Sequence, residues 1–427
     1  MRQRTRRWWP ATVAGLVVAA SLVAVAPPSG AGGTSREIHV GALLSLTGDG
    51  ATLGTTSKAA LEIAAKRWNA SPEGQHVKVF LDVENTNQEP DQAQAALTRL
   101  ADKDVPIVIG PQTSSEVAAV SDIAATRGVI VVSQGSTASS LALDDNVLRF
   151  VPTDRVEGRA SVDLMKKNGA TTVVPIWRND RGNTGLADSV RAAATASGMT
   201  VAPGVMYETD TTDFGPTLGD LSAQVQAAVA SGGADKVAVY LPGFEEVAQL
   251  LAAARTVPGL DGVRWYGADG SAQTKPLLDS GSAAFATGAQ VKGYPSPLVA
   301  LPADRVKRDA KLMAEISKRA KNRADAFTLA AYDAFNVAVR TLANTDPDTA
   351  SDIATLRGAF ITRANGTNGV TGKIELDDAG DRVSTPYAFW SICAGQRSAR
   401  WVDTGRWTPA ADPTGPGKVA ATGCRKS

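Results

Sequence analysis

Small hydroxyl residues sit at two places in this chain where a short apolar strand gives way to the start of a helix. Val105 to Gly110 (VPIVIG) runs into Pro111, Gln112, Thr113, Ser114 and Ser115, and Val129 to Ser133 (VIVVS) runs into Gly135, Ser136 and Thr137. Unsatisfied N–H groups and the positive dipole end of a helix attract a carboxylate or other anion, and hydroxyls beside them make that attraction selective. Thr113 and Glu116 have capping-box spacing, which leaves Ser114 and Ser115 in the first turn. Plain capping accounts for such a cluster too, but these two end strands of one series and so share a rim. On a later strand, Trp265 to Ser271 (WYGADGS) places Asp269 where it can meet an ammonium group, although Asp-Gly is also a common turn pair. Tyr240 to Phe244 (YLPGF) ends another strand and offers an aromatic wall or ordinary packing.

Enzymatic chemistry is less well provided for. Gly48, Gly50 and Gly54 lie between the first strand and first helix, and Asp82 ends the next strand, as in a dinucleotide site, but the third glycine falls one residue late. A tight turn feeding a helix explains them. His39 and His76 are the only two histidines, and no GxSxG elbow accompanies them, so a hydrolytic triad is not supported. No His, Cys and carboxylate cluster has metal-ligand spacing, and no cofactor is expected.

The elements that must position these groups alternate along the chain. From Glu37 onward, strands at 38–46, 77–84, 105–110 and 129–133 alternate with helices, one of which carries Leu61, Ala64, Ala65 and Trp68 on a single face. The pattern restarts after Phe150-Val151-Pro152-Thr153, with strands at 172–177, 201–207, 236–241 and 263–267 between helices at 156–168, 186–197, 217–230 and 245–256. Helices at 303–320 and 326–342 follow, then strands at 372–376 and 387–393. This is the signature of parallel sheets covered by helices, in two lobes. A chain of 427 residues with 43% apolar and 20% charged residues can bury such cores. Forty-four basic against forty-three acidic residues leave no field to attract nucleic acid.

Arg2, Arg4, Arg6 and Arg7 precede an apolar run from Ala11 to Ala26 and a small-residue stretch ending at Ala31, which reads as a cleavable export signal over residues 1–31. The run is short for a membrane-spanning helix, and no cysteine follows the cleavage region to carry a lipid anchor. The two cysteines, Cys393 and Cys424, can pair in an oxidising compartment and staple the tail, or stay as free thiols. Residues 406–427, rich in Pro, Gly, Thr and Ala, read as poorly ordered unless Cys424 ties them down.

LTGDGATLG (46–54), IGPQTSSEV (109–117), VSQGSTASSL (132–141), RFVPTD (149–154), RNDRGNTGLADSV (178–190), VYLPGFEE (239–246) and WYGADGSA (265–272) occur in this order. Together, over about residues 36–395, they resemble the leucine/isoleucine/valine-binding proteins, the type I periplasmic binding proteins that serve ABC importers. The resemblance implies an α/β fold of two doubly wound lobes with parallel central sheets joined by a three-strand hinge. It places the first lobe at 36–152 and 297–363, and the second at 153–296 and 364–405. It implies that Ser114 and Thr137, with Ser115 and Ser136 beside them, take a ligand carboxylate, that Asp269 takes its ammonium, and that Phe244 and Leu53 line the pocket. Gly182 stands where relatives carry an aromatic, which makes room for a ligand larger than leucine unless Trp177 or Tyr207 fills the gap. The expected function is capture of an amino acid or related zwitterion outside the cell membrane for a membrane ABC permease. The alternatives are a sensor of the same fold and, from a different class, an exported α/β enzyme.

Overall fold

The computed structural model describes residues 35–383, 385–411 and 415–424; the leader expected over residues 1–31 lies outside the described residues. Continuous apolar runs such as Ile107–Ile109 and Ile130–Val132 are buried on both faces, as a helix-covered parallel sheet requires. In chain order, β1 (Arg36–Leu44), α1 (Ala51–Asn69), β2 (Val77–Asn85), α2 (Pro90–Ala101), β3 (Ile107–Ile109), α3 (Ser114–Arg127), β4 (Ile130–Ser133) and β5 (Val147–Arg149) build the first sheet. It is parallel throughout, in the order β2-β1-β3-β4-β5.

The second lobe follows with α4 (Asp154–Lys167), β6 (Thr172–Arg178), α5 (Arg181–Ala196), β7 (Thr200–Val201), β8 (Val205–Tyr207), α6 (Gly215–Gly232), β9 (Val237–Tyr240), α7 (Val247–Ala254) and β10 (Arg264–Tyr266). Its parallel sheet runs β10-β9-β6-β7, with β8 also paired to β6. The strand expected over 201–207 is two strands, because Pro203 lacks a ladder donor and Gly204 takes a positive φ of 77°.

Then come α8 (Ser280–Ala286), β11 (Ser296–Val299), α9 (Ala303–Arg308), α10 (Ala310–Ala320), α11 (Ala326–Asn344), α12 (Pro347–Ala350), α13 (Ile353–Asn365), a hairpin of β12 (Asn368–Gly369) and β13 (Gly372–Lys373), β14 (Tyr387–Cys393), β15 (Arg400–Thr408) and β16 (Lys418–Ala421). The helix expected over 303–320 breaks at Asp309 into α9 and α10, and the strand expected over 372–376 shortens to β13. α11 returns to the first core, where Ala334, Phe335 and Ala338 pack with Val40 and Ile107. Tyr387 and Phe389 of β14 go back to the second, with Val173 and Tyr240. The sequence reading did not anticipate the antiparallel third sheet, β11-β14-β15-β16. Among the described residues no helix is long and apolar enough to cross a membrane.

The chain's end is fastened twice. Trp407 Nε1 and Gly417 N both donate to Asp163 Oδ2 on α4, at 2.8 and 2.7 Å. Cys393, the last residue of β14, is disulfide-bonded to Cys424, with a sequence separation of 31. Loop-closure entropy for a ring of that size is worth about 3–4 kcal/mol. Replacing both cysteines by serine is therefore expected to lower the melting temperature by several degrees in scanning calorimetry; an unchanged melting temperature would show that the β15–β16 ladder and the Asp163 contacts hold the tail without the disulfide.

Candidate functional site

The loops after β3, β4, β9 and β10 leave the carboxyl ends of the two parallel sheets and converge on one enclosed cavity between the lobes, the usual place for a ligand in open α/β sheets. On the first-lobe rim, Thr113 caps α3 with the full capping box the spacing implied. Its hydroxyl accepts from Glu116 N and donates to Glu116 Oε2 at 2.6 Å, and Glu116 Oε2 also accepts from Thr113 N. The cap frees Ser114 to point toward the next loop. Ser114 Oγ accepts from Ser136 Oγ at 3.1 Å and from Ala138 N at 3.2 Å, which leaves its own proton to donate into the cavity. Ser133 Oγ bridges the two loops, donating to Pro111 O at 2.6 Å and accepting from Ser136 N at 3.0 Å.

Behind this rim lies Arg149, at 1% exposure, bound through two nitrogens to the Asp381 carboxylate. Its Nη1 donates to Ala138 O at 2.7 Å, so the loop carrying Thr137 is held by a buried ion pair to Asp381 in the segment between β13 and β14.

The opposite wall is acidic. Asp269 lies in the turn after β10, at 6% exposure, and lines the cavity. Its N–H donates to Glu157 Oε1 at 3.0 Å, and Asp154 heads the same helix, α4, as Glu157. All three carboxyls are buried, and neither oxygen of Asp154 has a hydrogen-bond partner. Burial pushes Asp154 up to about 8 and Asp269 up to about 6. Burial, and then the charge of Asp269, hold Glu157 well above the ordinary carboxylate range. The hydroxyls of Tyr240 and Tyr387, buried near this trio, are also unpartnered.

Of the seven residues singled out from the sequence, Leu53, Ser114, Thr137, Phe244 and Asp269 line the cavity together. Ser136 spends its hydroxyl on Ser114, and Ser115 Oγ instead accepts from Arg181 N across the cleft at 3.2 Å, so neither is in the lining. Ser57, Gln112, Gln134, Asn183, Leu186 and Phe327 also line it. Their types and spacing in the chain did not single them out, although both glutamines adjoin the hydroxyl clusters. Nor did type and spacing single out Asp154 and Glu157, which in isolation look like ordinary acids of a first helical turn.

Gly182 faces Ser114 across the cleft, where a Cβ would lie 3.5 Å from Ser114 Oγ, in ordinary contact. Trp177 and Tyr207 do not fill the gap. The first lies under the Arg191 guanidinium at 4.8 Å, and the second donates its hydroxyl to Glu246 at 2.8 Å. The cleft is latched elsewhere by Arg178, which pairs with Asp49 across it at 2.8 Å and with Asp180 at 3.2 Å. Thr52 N, in the first turn of α1, donates to Glu245 Oε1 at 2.9 Å. The glycine-rich turn therefore presents its helix start to a protein carboxylate, as the tight-turn reading of Gly48 to Gly54 allows. Asp82 pairs with His39 at 2.6 Å on an exposed face, away from the cavity.

A wider groove between α4 and α5, edged by Arg155, Arg159 and Lys166, is more open to solvent; the enclosed cavity, with its converging buried polar groups, is the better site. Among the described residues no group of three or more His, Cys, Asp or Glu is placed to hold a metal ion.

Comparison with known proteins agrees with this geometry. The family model described as periplasmic binding protein matches residues 37–396. The chain is 26% identical over 371 residues to the Leu/Ile/Val-binding protein BraC3 of Rhizobium johnstonii, covering 84% of this chain and 93% of that one. Its fold is similar to the leucine-binding protein LivK of Thermotoga maritima, with a TM-score of 0.69, 20% identity and coverage of 86% and 97%. It is similar also to an ABC-transporter solute-binding protein of Rhodopseudomonas palustris in complex with 3,4-dihydroxybenzoic acid, with a TM-score of 0.68, 17% identity and coverage of 88% and 99%. The chain thus belongs to the periplasmic binding protein family and shares the two-lobed fold of the solved solute-binding proteins described above.

Proposed function

We propose that the protein, exported by way of residues 1–31, captures an amino acid or related small zwitterion and delivers it to a membrane ABC permease. Similar folds serve leucine and a dihydroxybenzoate in the two neighbours described above, so the residues of the cavity must decide between a zwitterion and a plain carboxylate. Asp269 carries the decision: it is a buried carboxyl facing the cavity, and no described Lys, Arg or His lies within ion-pair distance. A benzoate would bring a second negative charge or an apolar ring to it, whereas an ammonium would neutralise it.

In this reading, the Ser114 hydroxyl and Thr137 at the start of α3 and after β4 take the ligand carboxylate. Asp269 takes the ammonium, and Leu53 and Phe244 close over the remainder. The trio's protonation suits a single ammonium. Burial holds Asp154 up to about 8 and keeps Glu157 well above the ordinary carboxylate range, whereas Asp269, at about 6, is the member ready to meet a cation at neutral pH. Lobe closure removes water and strengthens both contacts.

Asp269→Asn is expected to weaken the ligand by about tenfold or more in titration calorimetry, as loss of a charge-assisted bond implies; unchanged affinity would remove Asp269 from the site. Acid acts in the same direction. As pH falls through about 6, Asp269 takes up a proton and stops attracting a cation, so affinity at pH 5 should be about a tenth of that at pH 7. A flat profile in the native protein would contradict the assignment.

The ligand-free protein provides a separate check on the trio. Asp154 keeps its proton up to about 8 when folded but loses it near 4 when unfolded, so its contribution to stability is present at low pH and is lost as pH rises through that window. The melting temperature of Asp154→Asn relative to the native protein is expected to rise between pH 5 and pH 8; a constant difference would show that Asp154 does not titrate in this way.

A further inference from the structure

The cavity holds a second set of polar groups that the carboxylate and ammonium contacts leave unused. Ser57 on α1, Gln112 after β3 and Gln134 after β4 are 1%, 6% and 1% exposed, and all three line the cavity. Ser57 Oγ, Gln112 Oε1 and both amide atoms of Gln134 have no hydrogen-bond partner. Gln112 is held at its other end, since its Nε2 donates to Gly50 O at 3.2 Å, and a Cβ on Gly50 would come within 3.0 Å of that nitrogen. Its carbonyl is therefore a fixed acceptor. Ser57 and Gln134 supply donors as well as acceptors. Such an array beside an aliphatic side chain would be desolvated without compensation, the arrangement that buried polar groups avoid.

Resting on the zwitterion reading of this same cavity, we infer that the ligand's side chain is itself polar, carrying an amide or hydroxyl that hydrogen-bonds to Gln112, Gln134 and Ser57. Leu186 and Phe327 pack against the carbon portion of that side chain, and the glutamines read its end. The ligand class is a hydrogen-bonding α-amino acid, not a branched aliphatic one. A site built to hydrogen-bond a side chain rejects the shape-matched analogue lacking that group far more strongly than an apolar pocket rejects an added hydroxyl.

The test uses shape-matched pairs on the purified protein, asparagine against leucine and threonine against valine, with affinities from titration calorimetry. The expected result is that the polar member of at least one pair binds about tenfold or more tighter, and that Gln112→Leu narrows or reverses the preference while the protein still binds. Leucine or valine binding as tightly as its polar partner in both pairs would overturn the inference and leave the zwitterion reading standing. No binding of any of the four, with binding of a carboxylate that lacks an amine, would overturn both. The native comparison needs no variant to fold, so a failure of Gln112→Leu to fold would not blunt it.

Discussion

Uncompensated negative charge between the lobes is the constraint to which the rest of the site answers. Glu157 accepts from the Asp269 N–H, Asp154 lies within Coulombic reach of both, and all three are buried, yet among the described residues none is ion-paired. A buried carboxyl in that position either keeps its proton or waits for a cation. Burial raises all three, Asp154 up to about 8, and Asp269, at about 6 and on the cavity wall, is the one placed to be neutralised from outside. The guanidinium groups nearby are committed elsewhere. Arg149 is bound to Asp381 and the Ser136–Ala138 loop, and Arg178 to Asp49 and Asp180.

The other wall is arranged in the opposite sense. It presents hydroxyl and backbone donors at the end of a parallel sheet, held rigidly by Thr113, Ser133 and Arg149. A fold that faces donors on one lobe with a carboxylate on the other favours a dipolar solute, and hinge closure converts two weak solvent-exposed contacts into desolvated ones.

Much of this was legible in the chain. The strands of the two parallel sheets announce themselves as unbroken apolar runs, and the Thr113/Glu116 spacing foretold the cap that orients Ser114. The short β5 is hard to read because it ends in Arg149, whose burial only Asp381, 232 residues away, makes tolerable. β15 and β16 are obscured by a composition typical of loose tails, and their order comes from pairing onto β14, the Asp163 contacts and the disulfide. The acid trio as a set was invisible for a similar reason. Asp269 stands out in its motif as a lone acid, but Asp154 and Glu157 look like helix-start acids until the fold brings α4 against the loop after β10, 112 residues further on. Gln112 and Gln134 lie inside the recognised motifs, but their lack of partners is a property of the closed cavity and not of the motif.

The central claim is that the cavity requires both a carboxylate and an ammonium. The most direct measurement is a calorimetric comparison, at neutral pH, of an amino acid that binds with the same molecule in which hydrogen replaces the ammonium. The account predicts that the deaminated acid binds about tenfold to a hundredfold more weakly, the worth of a desolvated charge-assisted hydrogen bond. Equal or tighter binding of the carboxylate alone would show that the site reads an acid, and that Asp269 faces the cavity for some other reason.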